Sequence, residues 1–549
     1  MLNCRRPFGF VDAGTYWAQL EANSKTGNHL QDWPFTKQNL ERTKKREEDF
    51  VIMASNKPIV DAHGKTFNRN LLVLVLLVGT FCTVLNGTIL TTAFPTLMKE
   101  FNVTTSDVQW LTTGFLMVNG IMIPVTAWLS NNFSTKILYI IAMSTFLVGT
   151  IMAFVAPTFW VILAGRLIQA VGVGITMPLM QVVMLSIFPA NQRGAAMGLG
   201  GLVIGLAPAI GPTLSGFIID NFSWRALFGM IIPIVILVLI LAFFFMRPVI
   251  QTHRTKLDIL SLIESTVGFG AILYGFSSVG DEGWGSMIVI GSIAIGIIFI
   301  LLFGYRQLHM DKPFLELRVF KEKKFAIAAA LSSVTNMAMV GVEMVLPLYL
   351  QIVKGMSAFH SGLTLLPGAL MIGVMSPITG NAFDKYGPKD LARMGMFLLT
   401  AGTIPFLFLT KSTPVLDIVV LYMIRMFGIS MVLMPVTTDG MNALPFNLMS
   451  HGTAVNNTVR QVFSSMGTAI LISVLTNVTN NLKPGKSLLS AAPLQYQDKF
   501  YDATLSGYHA AFAVAIVFCL LGFMITFMVK SSSKSKEVEL NKTELAGEA

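Results

Sequence analysis

Fourteen stretches of this chain are long and apolar enough to cross a bilayer, where a spanning helix needs about 20 predominantly apolar residues. The first runs over 71–97, inside a segment with no charged residue from Leu71 to Met98, and the last runs over 508–529. Composition agrees: the chain is 53% hydrophobic and 12% charged, with a mean hydropathy of +0.66, well outside the range of soluble multidomain proteins. The expected fold class is an all-α polytopic membrane protein embedded in a lipid bilayer.

Orientation follows from the short loops, because Lys and Arg collect on the cytoplasmic side. Arg247, Arg254 and Lys256 fall in one loop, and Arg306, Lys312, Arg318, Lys321, Lys323 and Lys324 in the loop two helices later. The loop between them carries Asp281 and Glu282. With an even helix count, both termini are expected in the cytosol, and the net charge of +10 reports topology with no nucleic-acid patch in it. Cys82 and Cys519 fall in expected helices and Cys4 in the tail, so no disulfide framework is implied. Residues 1–66 lack the apolar core and cleavage site of a signal peptide. They read either as a cytoplasmic tail or, over 1–52, as sequence upstream of a natural start at Met53, since the codons for "KKREED" can include a purine-rich ribosome-binding stretch. Residues 531–549 read as a second cytoplasmic tail.

An internal repeat organises the membrane part. "MIPVTAWLSNNFSTKIL" (122–138) aligns without gaps on "MSPITGNAFDKYGPKDL" (375–391), so that Pro124 matches Pro377, Lys136 matches Lys389 and Asn131 falls opposite Asp384. Arg166 and Arg425 form another pair, each in the fourth helix of its half and each followed by Met-Pro, at 177–178 and 434–435. The simplest arrangement is six helices (67–250), a two-helix insert (251–310) and six more (311–530).

The fifth helix contains "GLAPAIGPTLSG", with Gly205, Gly211 and Gly216 among its small residues and prolines at Pro208 and Pro212. Small residues let helices approach closely and prolines bend them, so tight packing alone accounts for the pattern. That segment nevertheless resembles the antiporter signature of the major facilitator superfamily. "LAGRLIQAVGVG" resembles its fourth-helix arginine motif, and "GNAFDKYGPKDL" its loop motif, with Gly380, Asp384, Lys385, Gly387 and Lys389 in place. "LNGTILTTAFP" and "NTVRQVFSSMGTAI" are similar to the first and thirteenth helices of the 14-helix drug:proton antiporters. The resemblance covers about 70–530. It implies the major facilitator fold and a bacterial plasma-membrane exporter that expels amphipathic, drug-like compounds in exchange for protons by alternating access. Where the antiporters usually carry Asp in the first helix, this chain has Asn86, as does a subgroup resembling lincosamide-resistance exporters. In the first-half loop, Asn131, Asn132 and Ser134 stand where the motif has Asp, Arg and Gly, so gating is expected to depend more on the Asp384 copy.

Asn86 cannot carry a proton, so proton coupling would need another intramembrane acid. Glu343 in "MVGVEMVLPLYL" is the deepest candidate; acids inside spans are costly and functional by default, and the alternative is a Glu near the outer interface. Asp439 lies near a helix end and serves either proton exit and substrate access or capping. Arg166 either braces the bundle or times the ionisation of a nearby carboxylate, and the resemblance places it in the proton pathway. Arg425 is less specific, and Arg460 either serves anionic groups or locks the thirteenth helix to a neighbour. The 32 Met and 40 Phe suit a deformable apolar cavity without locating one. No metal cluster, phosphate-cradling loop or nucleophile-base constellation stands out, and no cofactor or enzymatic activity is expected. A monomeric transporter is the expectation; solute uptake by symport, or a membrane enzyme or sensor, are the rival readings.

Overall fold

A computed structural model describes residues 61, 64–90, 93–250, 252, 256–485 and 492–530. Cys4, Met53, Arg254 and the tail at 531–549 lie outside the described residues, as do the side chains of Pro212 and Asp281. Fourteen helices among the described residues are long and apolar enough to span a membrane. They are α1 (Arg69–Thr88), α2 (Thr105–Asn132), α3 (Thr135–Phe154), α4 (Phe159–Ile187), α5 (Arg193–Asn221), α6 (Ile231–Phe245) and α7 (Ile259–Glu282). The others are α8 (Met287–His309), α9 (Lys323–Ile352), α10 (Ala358–Tyr386), α11 (Pro388–Thr403), α12 (Val415–Asn442), α13 (Met449–Leu482) and α14 (Pro493–Thr526). The end where α1 begins and α14 finishes is called the near end below, and the other the distal end.

Local chemistry sets the helix ends. Asn68 accepts from the Asn70 and Leu71 N–H groups at the start of α1, and Thr104 with Asp107 forms a reciprocal capping box on α2. Between α10 and α11 the chain turns on Gly387 alone, at φ 81°, a conformation that a side chain would strain. The repeat-related turn between α2 and α3 uses Ser134 instead, at φ −62°, as an N-cap accepting from Ile137 N–H. This is the physical content of the Gly-to-Ser departure in the first loop motif.

Two helix limits differ from the apolar stretches. The expected helix over 71–97 ends at Thr88, and a separate short helix, Phe94–Phe101, follows with Pro95 in its first turn, where the missing N–H costs nothing. At the other extreme α14 begins at Pro493, well before 508, because its first turns are polar and extend past the apolar part of the span. Apolarity marks the bilayer core and not the length of the helix.

Packing follows the repeat. In the first half α3 and α6 pack together, α4 packs on α1, α2 and α3, and α1 packs on α5 and α6. Each of these pairings recurs in the second half shifted by eight helices, as in α11 on α12, α10 on α12, α9 on α13 and α11 on α14. Repeat-related threonines make matching bonds: Thr126 Oγ1 donates to Gly174 O on α4 (3.1 Å), and Thr379 Oγ1 to Ser430 O on α12 (2.8 Å). The two halves meet along α5 against α10 and along α2 against α13. The insert breaks the symmetry, since α7 lies on both α2 and α13, while α8 packs on α7 and exposes residues such as Leu301 to the lipid side. Within the insert, Arg306 of α8 is joined to Asp258 at the start of α7 by two bonds, each 2.9 Å, and holds that carboxyl below the usual carboxylate range. At the distal end Arg225 donates to Glu100 (2.8 Å) and likewise holds its carboxyl low, with Trp224 Nε1 on the second oxygen at 2.6 Å.

Candidate functional site

Three arginines among the described residues are buried within the spans, all at most 6% exposed, and the structure separates them by what holds them. Arg166, about 10 Å into α4 at 1.5 Å per residue, is clamped by backbone. Its Nε donates to Leu111 O (3.2 Å), and Nη1 to Asn86 O and Gln169 Oε1 (both 3.0 Å). The guanidinium carbon also lies 4.0 Å from the centre of the Phe115 ring, a cation-π contact. Gln169 is fixed in turn by donating to Thr150 Oγ1 (2.8 Å). The Asn86 side chain is fully buried in the last turn of α1, and neither its oxygen nor its nitrogen has a partner among the described residues. The first half therefore holds its arginine by the Asn86 backbone and leaves the Asn86 side chain unbonded.

Arg425 occupies the equivalent place in the second half. Its Nε donates to Thr403 Oγ1 (2.8 Å) and Nη2 to Ala338 O on α9 (3.2 Å), with the Phe406 ring 5.9 Å away. Here an acid is present. Glu343, also on α9, interacts electrostatically with Arg425 and with Tyr422. Glu343 lies nine residues from the distal end of α9 and Arg425 ten from that of α12, so the two share a depth of about 14–15 Å at 1.5 Å per residue. The carboxylate makes no hydrogen bond among the described residues and is only half-buried. Glu343 is thus well inside the bundle and not at the outer interface.

Arg460 differs from both. It is 6% exposed on α13, and its guanidinium makes no hydrogen bond, ion pair or ring contact among the described residues. The expectation that it might lock α13 to a neighbour finds no bond to support it. Around it lies a set of buried amides that the sequence reading did not single out. Asn457 Nδ2 donates to Gln181 Oε1 on α4 (2.8 Å), joining the halves, and Ser332 Oγ on α9 donates to Asn456 Oδ1 (2.9 Å). Polar residues in otherwise apolar spans were the available signal for these.

Asp439 lies in the last turn of α12 at the near end and, unlike Asp384, its carboxylate accepts no hydrogen bond from a helix start among the described residues. Its carboxylate is half-buried and interacts with Lys324 at the start of α9.

Two contacts cross between the halves at the near end, at repeat-related positions. Asp384, at the end of α10, accepts from Gly194 N–H and Ala195 N–H, each at 2.9 Å, in the first turn of α5, where helical N–H groups are otherwise unpaired. Lys385 lies over the Tyr386 ring, 5.1 Å to its centre, and Lys389 is in the first turn of α11. Asn131, at the end of α2, instead meets His451 Nε2 on α13 at 3.0 Å, while Glu316 N–H donates to the other ring nitrogen (3.2 Å). Arg193 Nη1 donating to Asn442 Oδ1 (2.7 Å) adds a third crossing. His451, Arg193 and Asn442 were not legible as a unit, because their partners are far away in sequence.

The glycines of the fifth-helix motif serve close packing. A Cβ on Gly194 would come 2.5 Å from Gly380 O, and one on Gly198 equally close to Ser376 O, so α5 and α10 touch backbone to backbone. Gly201 and Gly205 meet Ser376 and Ile372 on α10, Gly211 meets Thr88 on α1, and Gly216 faces Phe359. Pro208 lies between these contacts.

The comparisons agree with this architecture. The sequence profile of the Major Facilitator Superfamily matches residues 76–468. The "Uncharacterized MFS-type transporter YcnB" of Bacillus subtilis is 48% identical over 478 residues, covering 86% of this chain and 98% of the relative. The "Lincomycin resistance protein LmrB" of Listeria monocytogenes is 38% identical over 464 residues, covering 84% and 97%. In fold, the chain resembles the crystal structure of the human organic anion transporter MFSD10, with a TM-score of 0.58 at 13% identity over 83% of this chain and 99% of that one. The repeated six-helix halves, the two-helix insert between them and these matches together establish that the chain belongs to the Major Facilitator Superfamily of membrane transporters.

Proposed function

We propose that the protein exports amphipathic, drug-like compounds across the bacterial plasma membrane in exchange for protons. The near end faces the cytosol, in keeping with the basic loops found there. Substrate binds near the midplane between the two halves, and transport alternates which end is open. The one observation that carries proton coupling is Glu343: an intramembrane acid with no hydrogen-bond partner among the described residues, at the depth of and within electrostatic reach of a guanidinium that backbone and hydroxyl groups hold in place. Such an acid can bind a proton from one side and release it on the other, with Arg425 favouring release. Asn86 leaves the first half without that capacity. Asp439 would pass protons or substrate at the cytosolic mouth, and Arg166 would brace α1, α2 and α4 so that they move as a body.

A membrane potential of 100 mV supplies about 2.3 kcal/mol for each charge carried, enough for roughly 50-fold accumulation by one proton. The name of the lincomycin-resistance relative makes lincosamides the first candidates. The test is lincomycin uptake into inverted membrane vesicles energised by respiration, with and without a protonophore. Uptake that collapses with the gradient supports the reading; uptake unaffected by the protonophore, or absent for every amphiphile tried, contradicts it.

A further inference from the structure

The buried positive charges are unequally compensated. Arg166 and Arg425 are each tied to backbone carbonyls and each stacked near an aromatic ring, and Arg425 also has Glu343. Arg460 has none of these: among the described residues no acidic side chain stands against it and its guanidinium makes no hydrogen bond, whereas Arg166 and Arg425 each leave only one buried nitrogen, Nη2 and Nη1, unpartnered. A guanidinium is permanently charged, so it requires either a counter-ion or a set of acceptors when removed from water. Among the described residues Gln181 Nε2 and Asn456 Nδ2, both donors, and Asn457 Oδ1, an acceptor, are also buried without partners, and a neutral amide oxygen brings no charge to balance the guanidinium.

Position gives this arrangement its meaning. Asn456 and Asn457 lie one helical turn nearer the cytosolic end than Arg460 and on nearly the same face of α13. Asn457 bonds Gln181 across the halves, so Arg460 sits immediately distal to the contact that closes them, about 17 Å into α13 at 1.5 Å per residue. One turn further along, Ser464 accepts from Asn336 of α9. Residues of α4, α9 and α13, from both halves, thus surround a free cation and unpaired amide donors near the midplane.

We propose that Arg460, assisted by the Gln181 and Asn456 amides, binds the anionic group of the transported compound, so that the preferred substrates are amphiphiles bearing a carboxylate or a similar oxyanion. The inference rests on the efflux reading and adds to it a class that binds more tightly than lincomycin, which carries no carboxylate and serves as the reference substrate of that reading. Free chloride is the other source of a counter-ion, and the test separates the two.

Three probes share an aromatic body: naphthylacetate, its primary amide naphthylacetamide, and naphthylmethyltrimethylammonium. Their binding to the purified full chain would be measured with lincomycin alongside, for the wild type, Arg460→Gln and Arg460→Lys, in chloride and in chloride-free buffer of equal ionic strength. Charge-assisted hydrogen bonds support a preference of about 10-fold or more for the carboxylate over the amide in the wild type. The expected result is that Arg460→Gln removes this preference while leaving amide binding within about twofold, that Arg460→Lys, which controls for folding, retains part of it, and that chloride has no effect. Equal binding of carboxylate and amide by the wild type overturns the inference while leaving efflux standing. So does chloride-dependent binding of the neutral amide, which would make free chloride the counter-ion. Failure of all three probes and lincomycin to bind overturns the efflux reading with it.

Discussion

The two halves of this transporter place an arginine at the same point of their fourth helices and surround it differently. Arg166 is gripped by the carbonyls of Leu111 and Asn86 and by Gln169, with an unpartnered amide for a neighbour. Arg425 is gripped by Thr403 and the carbonyl of Ala338, with Glu343 for a neighbour. The clamp is common to both halves. Among the described residues only the second half sets an acid near its arginine, which is why the proposed proton coupling is assigned there. The loop motifs show the reverse side of the same divergence: Asp384 caps α5 with a charge, while its counterpart Asn131 meets His451 without one.

The largest effect that could break this comparison is expected at Glu343. Glu343→Gln removes the proton carrier and should abolish gradient-driven export while leaving substrate binding within severalfold, as checked by vesicle uptake and equilibrium binding. Adding Asn86→Asp to that variant sharpens the point: if the two arginine sites are equivalent scaffolds, an acid beside Arg166 restores a measurable fraction of export, and no recovery would mean that the first half cannot couple.

Next in size is the charged crossing. Asp384→Asn gives up two charge-assisted bonds to the start of α5, worth about 1.5–3 kcal/mol in such settings, so the conformation closed at the near end should lose roughly 10- to 150-fold in population. Cysteine accessibility at the near end would report it. Asn131→Ala should do less, about 0.5–1.5 kcal/mol or severalfold, because the bond to His451 is between neutral groups. Equal effects at the two sites would contradict the asymmetry drawn here. His451 offers a related check, since a doubly protonated ring would turn a proton toward the Glu316 N–H and lose that bond.

The smallest effect is expected away from both arginines, at the exposed Arg225–Glu100 pair. Its carboxyl is held below the usual range, so any stability it contributes is present above the ordinary glutamate pKa and fades only as pH falls through the lowered value. Surface pairs of this kind contribute roughly 0–1 kcal/mol. Glu100→Gln should therefore leave both export and its pH profile between about 6 and 8 unchanged.

Much of the fold is legible in the sequence, because a bilayer imposes a minimum apolar length that fourteen stretches satisfy and the repeat of Pro124, Thr126 and Lys136 at Pro377, Thr379 and Lys389 survives in residue types. The ends of α1 and α14 were not, since capping, Pro95 and polar turns set them and apolarity does not. Of the site, the charged residues could be found as interruptions of apolar runs. What distinguishes Arg166, Arg425 and Arg460 could not, because the atoms that hold the first two are largely backbone carbonyls, which every residue supplies. The contacts of Asn131 with His451 and Gln181 with Asn457 join residues hundreds of positions apart, and nothing in either local segment announces its partner.

The most direct test of the central claim is substrate-driven proton movement in sealed proteoliposomes, wild type beside Glu343→Gln, with lincomycin and naphthylacetate as substrates. Proton flux that follows substrate in the wild type and disappears in the variant, while substrate still equilibrates down its own gradient, is the predicted result. Undiminished proton flux in Glu343→Gln would contradict it and remove the second-half acid from the mechanism.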